Sequence, residues 1–300
     1  MTVSVKNRIL FPMLNFIVNA KSGKGLGNKT LKKLCDYCYK NNVPFTAHIT
    51  AAPNHATAIA EALCAHGAET IVAVGGDGTF GEVLNGIADF EKTALGFIPA
   101  GRGNDYARAA RLKLKPVEAL KDILRGETVY SDYIDVSGRR CLNVAGTGLD
   151  VSVLERVQGK SGKITYLKAL IHCLSNFSPF KLNVTANGQT TYYECIMAGV
   201  CNGTAFGGGI KLNPLGKLGD GKLDVIIMRM PDNGKLMRAL IKFKSGKHLK
   251  MPYTTHIVCD EVSVTSAGEP CPIQIDGEIF GDKALVCKII KGGMRTFKVN

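Results

Sequence analysis

Residues 71–86, IVAVGGDGTFGEVLNG, run as an apolar strand, break at Gly75, Gly76, Asp77, Gly78 and Thr79, and resume at once with helical spacing. No other stretch restricts the fold so tightly. A strand entering a helix through a few glycines belongs to a βα unit, and the next strand of such a unit crosses over to lie parallel. The neighbouring segments repeat the alternation. Residues 14–19 read as a strand; Leu31, Leu34, Cys35 and Cys38 then share one helical face, and Val43, Phe45, Ala47 and Ile49 alternate with period two. Asn54 is placed to cap a helix with Ala56, Ile59, Ala60 and Leu63 inward, and Gly67 to end it in a left-handed conformation. A helix from Thr79 and the apolar run LGFIPAG complete a βαβαβαβ series. The expectation is a parallel sheet with ligands at the carboxyl ends of its strands.

From about residue 129 strands predominate. Asn187-Gly188 lies between FKLNVTA and QTTYYECIMAGV, the two-residue signal of a type I′ hairpin, so the sheet here should be antiparallel. Residues 222–230, 256–265 and 284–290 read as further strands and 164–174 as a helix. A boundary near residue 133 gives domains 1–133 and 134–300, with the last residues able to return to the first.

The glycine loop leaves backbone N–H groups pointing outward, and the helix N-terminus adds partial positive charge, so a phosphate is its natural occupant. Thr79 and Glu82 also form the pattern of a capping box. Asp77 is the awkward member, because a carboxylate beside a phosphate is repelled unless Mg²⁺ or a proton donor offsets it. A second glycine-rich segment, GKGLGNKT at residues 23–30, almost spells a P-loop, but Asn28 replaces its second glycine and crowds a phosphate; nucleotide contact there falls to Asn19 or Ser22.

Composition narrows the partners. The formal net charge is +13, which draws the surface toward nucleic acid, nucleotide phosphates or an acidic membrane face. The aromatic interleaving of a nucleic-acid reader is missing and Trp is absent, so nucleic acid is the weakest of these. A hydrophobic fraction of 45% suits a packed globule, and no run approaches the roughly 18 to 20 apolar residues of a spanning helix. With no convincing secretory signal, the expected location is cytoplasmic. The ten cysteines read as reduced core thiols. The pair Cys35 and Cys38 has no second pair to complete a zinc site, and His48, His55, His66 and His172 are scattered singly. Residues 235–250, KLMRALIKFKSGKHLK, are the densest basic segment and suit either a solvated helix face or an interfacial membrane contact.

VGGDGTFGEVLNG, together with PAGRGNDYAR at residues 99–108, resembles the diacylglycerol kinase catalytic family, which includes bacterial soluble lipid kinases and sphingosine kinases. GGDGT alone is shared with NAD kinases. VNAKSGKG, NVAGTGLDVSV, NPLGKLGDGKLDV and IQIDGE extend the resemblance along the whole chain. It implies an N-terminal α/β nucleotide-binding domain with a parallel sheet, a C-terminal antiparallel β-sandwich domain, and an active site in the cleft between them. It further implies that Gly75, Gly76, Asp77, Gly78, Thr79, Phe80 and Gly81 wrap the ATP phosphates with Thr50 on the nucleotide, that Asp77 and Asp105 of the Asn104-Asp105 loop organise catalytic Mg²⁺, and that Glu278 is the general base. Asp220 and the carbonyls of Lys217 and Lys222 match a second Mg²⁺ site of bacterial members. On residues alone, the Asp-Gly of IQIDGE reads equally as a hairpin turn, and Asp220-Gly221 before a strand reads more often as only a turn, so that site rests on the resemblance. The family's Pro after the first Asn is Ala20 here, and Arg102 replaces its usual Thr, either to contact phosphate or to project to solvent.

The resulting expectation is an ATP- and Mg²⁺-dependent kinase of a lipid hydroxyl, with diacylglycerol the leading acceptor and phosphatidic acid the product. It would dock peripherally on the anionic inner face of the membrane. An NAD kinase and a non-catalytic nucleotide-binding regulator are the alternatives, and the oligomeric state is open, a homodimer included.

Overall fold

The computed structural model describes residues 11–157, 168–169, 171–173, 178–231, 236–269 and 271–299. The first half alternates β1 (Leu14–Val18), α1 (Ser22–Asn41), β2 (Phe45–Ile49), α2 (His55–Ala65), β3 (Thr70–Gly75), α3 (Asp77–Gly86), β4 (Ala94–Pro99), α4 (Asp105–Ala109) and α5 (Pro116–Leu124). β2, β1, β3 and β4 pair in that order, all parallel. Every residue of β1, β3 and β4 is buried, because helices cover both faces. Leu34, Leu120 and Ile123 pack on one face, and Ala60, Phe80, Val83 and Leu84 on the other. Continuous apolar runs, and not alternation, are what such strands require.

β5 (Thr128–Val136), β6 (Arg139–Cys141), β7 (Val144–Gly148), α6 (Leu149–Val157), β8 (Phe180–Ala186), β9 (Gln189–Cys195), β10 (Met197–Cys201), β11 (Leu223–Met228), α7 (Leu236–Lys244), β12 (Thr254–Cys259), β13 (Glu261–Ser266), β14 (Pro272–Ile275), β15 (Glu278–Asp282) and β16 (Leu285–Phe297) follow. Asn187 and Gly188 both take positive φ between β8 and β9, the geometry of the expected type I′ turn. β12, β11, β10, β7, β14 and β15 form a six-stranded antiparallel sheet. Its inner face, with Ala198, Val225, Ile227 and Ile275, meets Val184, Val262, Leu285 and Cys287 of the other sheet, making an antiparallel sandwich.

β16 joins the two halves. Its first residues pair antiparallel with β13, and near its end Thr296 pairs parallel with Leu95 of β4. The parallel sheet therefore runs on into one layer of the sandwich, and residue 133 lies inside β5, which pairs along β16.

Three local expectations give way. Residues 256–265 form not one strand but two, β12 and β13, in different sheets, because the chain turns the corner of the sandwich at exposed Asp260. Asn54 precedes α2 in a left-handed conformation and makes no side-chain cap; the Glu82 carboxylate accepts from the Ala56 amide instead, at 3.1 Å. Thr79 and Glu82 consequently form no capping box: α3 opens at Asp77, which places Thr79 inside the first turn. Most of residues 164–174 lies outside the described residues.

Candidate active site

The site is assembled at the carboxyl edge of the parallel strands, where β1, β3 and β4 hand over to helices. Gly75 ends β3, and the Thr79 side chain folds back over it, so a Cβ at Gly75 would lie 2.5 Å from Thr79 Oγ1. That hydroxyl accepts from Asn19 Nδ2 at 3.3 Å, tying the ends of β1 and β3 together. A Cβ at Gly101 would lie 2.5 Å from Gly76 Cα, so the loops after β3 and β4 touch backbone to backbone. Gly78 and Gly81 differ: nothing lies within 4 Å of a Cβ built on either. Packing explains the glycines at 75 and 101, whereas those at 78 and 81 keep open the approach to the start of α3, where helix N–H groups and partial positive charge favour an anion.

The loop after β4 is closed by its own asparagine. Gly101 N donates to Asn104 Oδ1 and Asn104 Nδ2 donates to Gly101 O, both at 3.0 Å. Asp105, 5% exposed, opens α4 and accepts from Gly208 N at 2.8 Å. Asp77 Oδ1 accepts from the Tyr106 amide at 3.0 Å, a carboxylate on the first turn of α4. The other oxygen of Asp77 and Oδ2 of Asp105 converge over Gly103, whose added Cβ would lie 3.3 Å and 3.5 Å from them.

Two carboxylate oxygens facing one small space are the donor set a hard divalent cation takes, and only glycine fits at 103, where an added Cβ would also lie 3.1 Å from Gly208 Cα. Among the described residues no group of three or more His, Cys, Asp or Glu is placed to hold a metal. A Mg²⁺ held by Asp77 and Asp105 would therefore complete its shell with phosphate oxygens and water, as that ion does in nucleotide sites.

Glu278 comes from the second half and lies beside α3, close enough to feel the Glu82 carboxylate. Asp276 and Gly277, both at positive φ, turn the hairpin between β14 and β15, and the half-buried Asp276 carboxylate accepts from the amides of Leu142, Asn143 and Val144. Glu278, two residues after Asp276, ion-pairs with Arg139 at 2.7 Å. Burial pushes its carboxyl up, Arg139 pulls it down, and the carboxylates of Glu82 and Asp276 push it up again. Arg140, next to Arg139, docks β6 on α3: its guanidinium donates to Leu84 O and Ile87 O, while its amide and carbonyl pair with the side chain of Asn85.

Residues 13–136 match the Diacylglycerol kinase catalytic domain, and residues 143–297 match the YegS C-terminal NAD kinase beta sandwich-like domain. The chain belongs to the lipid kinase family of diacylglycerol kinase and YegS-like proteins. It is 26% identical over 271 residues to the diacylglycerol kinase of Bacillus subtilis (strain 168), covering 88% of this chain and 89% of that protein. It is 30% identical over 220 residues to the "Probable lipid kinase YegS-like" of Xanthomonas oryzae pv. oryzae (strain MAFF 311018), covering 69% and 71%. A crystal structure of a diacylglycerol kinase from Bacillus anthracis str. Sterne superposes with a TM-score of 0.76 at 24% identity, covering 96% of this chain and 98% of that one. The fold is also that of an NAD kinase from Archaeoglobus fulgidus in complex with ATP, with a TM-score of 0.56 at 13% identity over 95% and 94% of the two chains.

Within this lipid-kinase frame, several expected site residues have other employment. The Phe80 ring is fully buried and stacks on Phe97 with centroids 4.3 Å apart, and its amide donates to Gly76 O, so Phe80 offers nothing to a nucleotide. Asn104 and the Thr79 hydroxyl shape the loops from within. Thr50 follows β2, half-buried, its amide donating to Val18 O at 2.9 Å. Arg102 stands exposed at the apex of the loop after β4. GKGLGNKT forms no P-loop: Gly23, Lys24 and Gly25 take left-handed angles at the start of α1, and Ser22 Oγ donates to Ala100 O.

Lys217, Asp220 and Lys222 lie in an exposed turn, where Asp220 Oδ1 accepts from the Lys222 amide at 3.0 Å and the Lys222 ammonium pairs with Asp260. The Lys222 amide hydrogen bond is the turn reading of Asp-Gly. A single exposed carboxylate is a sparse donor set for a cation.

Sequence reasoning missed Arg139 and Arg140 as part of the framework that positions Glu278, and read Asn85 and Asp276 only as members of the VGGDGTFGEVLNG and IQIDGE motifs, since their partners come from distant segments. It also passed over Asp150, fully buried at the start of α6, which accepts from Gln274 Nε2 at 3.0 Å and whose carboxyl is pushed up to about 6 by burial. Its only sequence signal was an acid inside the apolar run NVAGTGLDVSV.

Proposed function

We propose that this protein is an ATP- and Mg²⁺-dependent diacylglycerol kinase that works at an anionic membrane surface and yields phosphatidic acid. The observation that supports this most is the meeting of Asp77 and Asp105, from two separate loops, over the side-chain-free face of Gly103 and beside the open start of α3. Acidic ligands for a metal next to an anion-binding helix end are the parts that phosphoryl transfer needs.

In this reading the open backbone at Gly78 and Gly81 admits the phosphates, and Asp77 and Asp105 hold the metal. Bound Mg²⁺ supplies neutralisation of charge on the transferring phosphoryl group. The lipid hydroxyl oxygen bonds to the γ-phosphorus as the bond to the β-phosphate oxygen breaks, and the hydroxyl proton passes to Glu278. An alcohol is far too weak an acid to lose its proton beforehand, so Glu278 accepts it as the new bond forms. Arg139 keeps Glu278 anionic and aimed.

The test is transfer of label from γ-labelled ATP, with Mg²⁺, to a panel of lipids in anionic vesicles and to NAD. Labelled phosphatidic acid from diacylglycerol is expected. Label appearing in NAD and in no lipid would overturn the proposal, and label in a different lipid alone would overturn the choice of acceptor.

A further inference from the structure

Residues 235–250 and 205–219 contain no Asp or Glu, and 235–250 contains six Lys and Arg. The fold brings these two segments together. A Cβ at Gly246, just past α7, would lie 3.2 Å from Pro214 Cβ and 3.7 Å from Lys211 Cδ. The buried ring of His248 hydrogen-bonds to Leu212 O at 2.7 Å and packs on the Phe243 ring. α7 turns Ala239 and Phe243 inward, Phe243 joining the apolar layer of Val153, Leu212 and Met228. Its other face presents Arg238, Ile241, Lys242 and, one turn on, Ser245, all exposed.

Two large apolar side chains project from this basic surface: Ile241 on α7 is 61% exposed and Leu215 on the adjoining loop is 66% exposed. Single exposed apolar residues are ordinary. Here both stand on joined segments with exposed Lys211, Lys242, Lys247 and Arg238 around them and no acid within either segment. Asp224, the acid hydrogen-bonded to this loop, is engaged by Asn213 Nδ2 and by His256, both at 2.6 Å. Apolar tips set among cations are the pattern of an interfacial contact, in which the tips enter the acyl boundary and the cations meet anionic headgroups. The same loop continues to the catalytic carboxylates, since Gly208 N donates to Asp105.

We infer that α7 and the 211–217 loop form the face by which this protein seats on an anionic lipid bilayer, with Leu215 and Ile241 entering the interface. The inference takes its purpose from the lipid-kinase reading, but binding is measured without catalysis. Because the chain has no Trp, Leu215→Trp and Ile241→Trp each create a unique fluorophore. Their emission is expected to shift to the blue, and to be quenched by brominated acyl chains, with vesicles of phosphatidylglycerol in phosphatidylcholine. With phosphatidylcholine alone neither effect is expected, and Tyr192→Trp on β9 should respond to neither vesicle. Arg238→Glu with Lys242→Glu should weaken vesicle sedimentation at least about tenfold while leaving phosphorylation of a short-chain diacylglycerol in detergent micelles unchanged. Unchanged Trp emission on anionic vesicles, or equal sedimentation of the charge-reversed variant, would overturn the inference. Normal vesicle binding with no phosphorylation of any lipid would instead overturn the kinase reading alone.

Discussion

Glu278, half-exposed, and Asp150, fully buried, are both acids pushed up by desolvation, yet they make opposite predictions. Glu278 must be ionised to accept a proton, so kcat should rise with pH through its titration, on an acid limb above the ordinary glutamate range. Arg139 is the one group that lowers it, so Arg139→Gln should move that limb to higher pH and reduce kcat, as a pH–rate profile would read. Asp150 is raised to about 6 in the folded state. Below the ordinary aspartate pKa it is protonated whether folded or not. Between there and about 6 only the unfolded chain ionises, so stability falls as pH rises through that window. Asp150→Asn keeps an acceptor for Gln274 and should recover on the order of 2–3 kcal/mol at pH 7, with the pH slope removed in urea unfolding. An equal slope in the variant would remove Asp150 as its cause.

At the scale of elements, the glycine loop was legible in the sequence as the turn from β3 into α3, but the separate duties of its glycines were not. Gly101 faces backbone that cannot give way, so Gly101→Ala should cost about 1–3 kcal/mol or more. Gly78 lies in α3 beside open space, so Gly78→Ala should hold or raise stability by about 0.5–1 kcal/mol while raising the KM for ATP. Thermal melts and ATP titration of the two variants separate a packing glycine from a binding one. The hairpin at Asn187-Gly188 and the helical faces were readable because their signals are local. The capping of α2 was not, because Glu82, which accepts from Ala56, arrives from another helix. Phe80 likewise sits inside the motif, yet its ring belongs to the core with Phe97 and Tyr106.

For the whole molecule, the sequence carried the change from alternating to strand-rich texture, while the way the halves join depends on contacts that no local pattern announces. β16 closes the parallel sheet from the far end of the chain. Asp132 accepts from Gly221 N with one carboxylate oxygen and from Gly292 N with the other, and Arg140 ends α3 from the other half. Arg140→Ala should cost about 2–3 kcal/mol through lost charge-assisted hydrogen bonds, and should lower kcat because the strand beside Glu278 loses its anchor on α3. Both effects are read by urea unfolding and steady-state rates.

The central claim is that Glu278, delivered from the sandwich, completes a phosphoryl-transfer site begun by Asp77 and Asp105. The direct measurement is single-turnover transfer from γ-labelled ATP to diacylglycerol by Glu278→Gln, alongside ATP affinity. The account predicts transfer slowed by about 10²–10⁴-fold with ATP affinity retained. Transfer at the unmodified rate would contradict it.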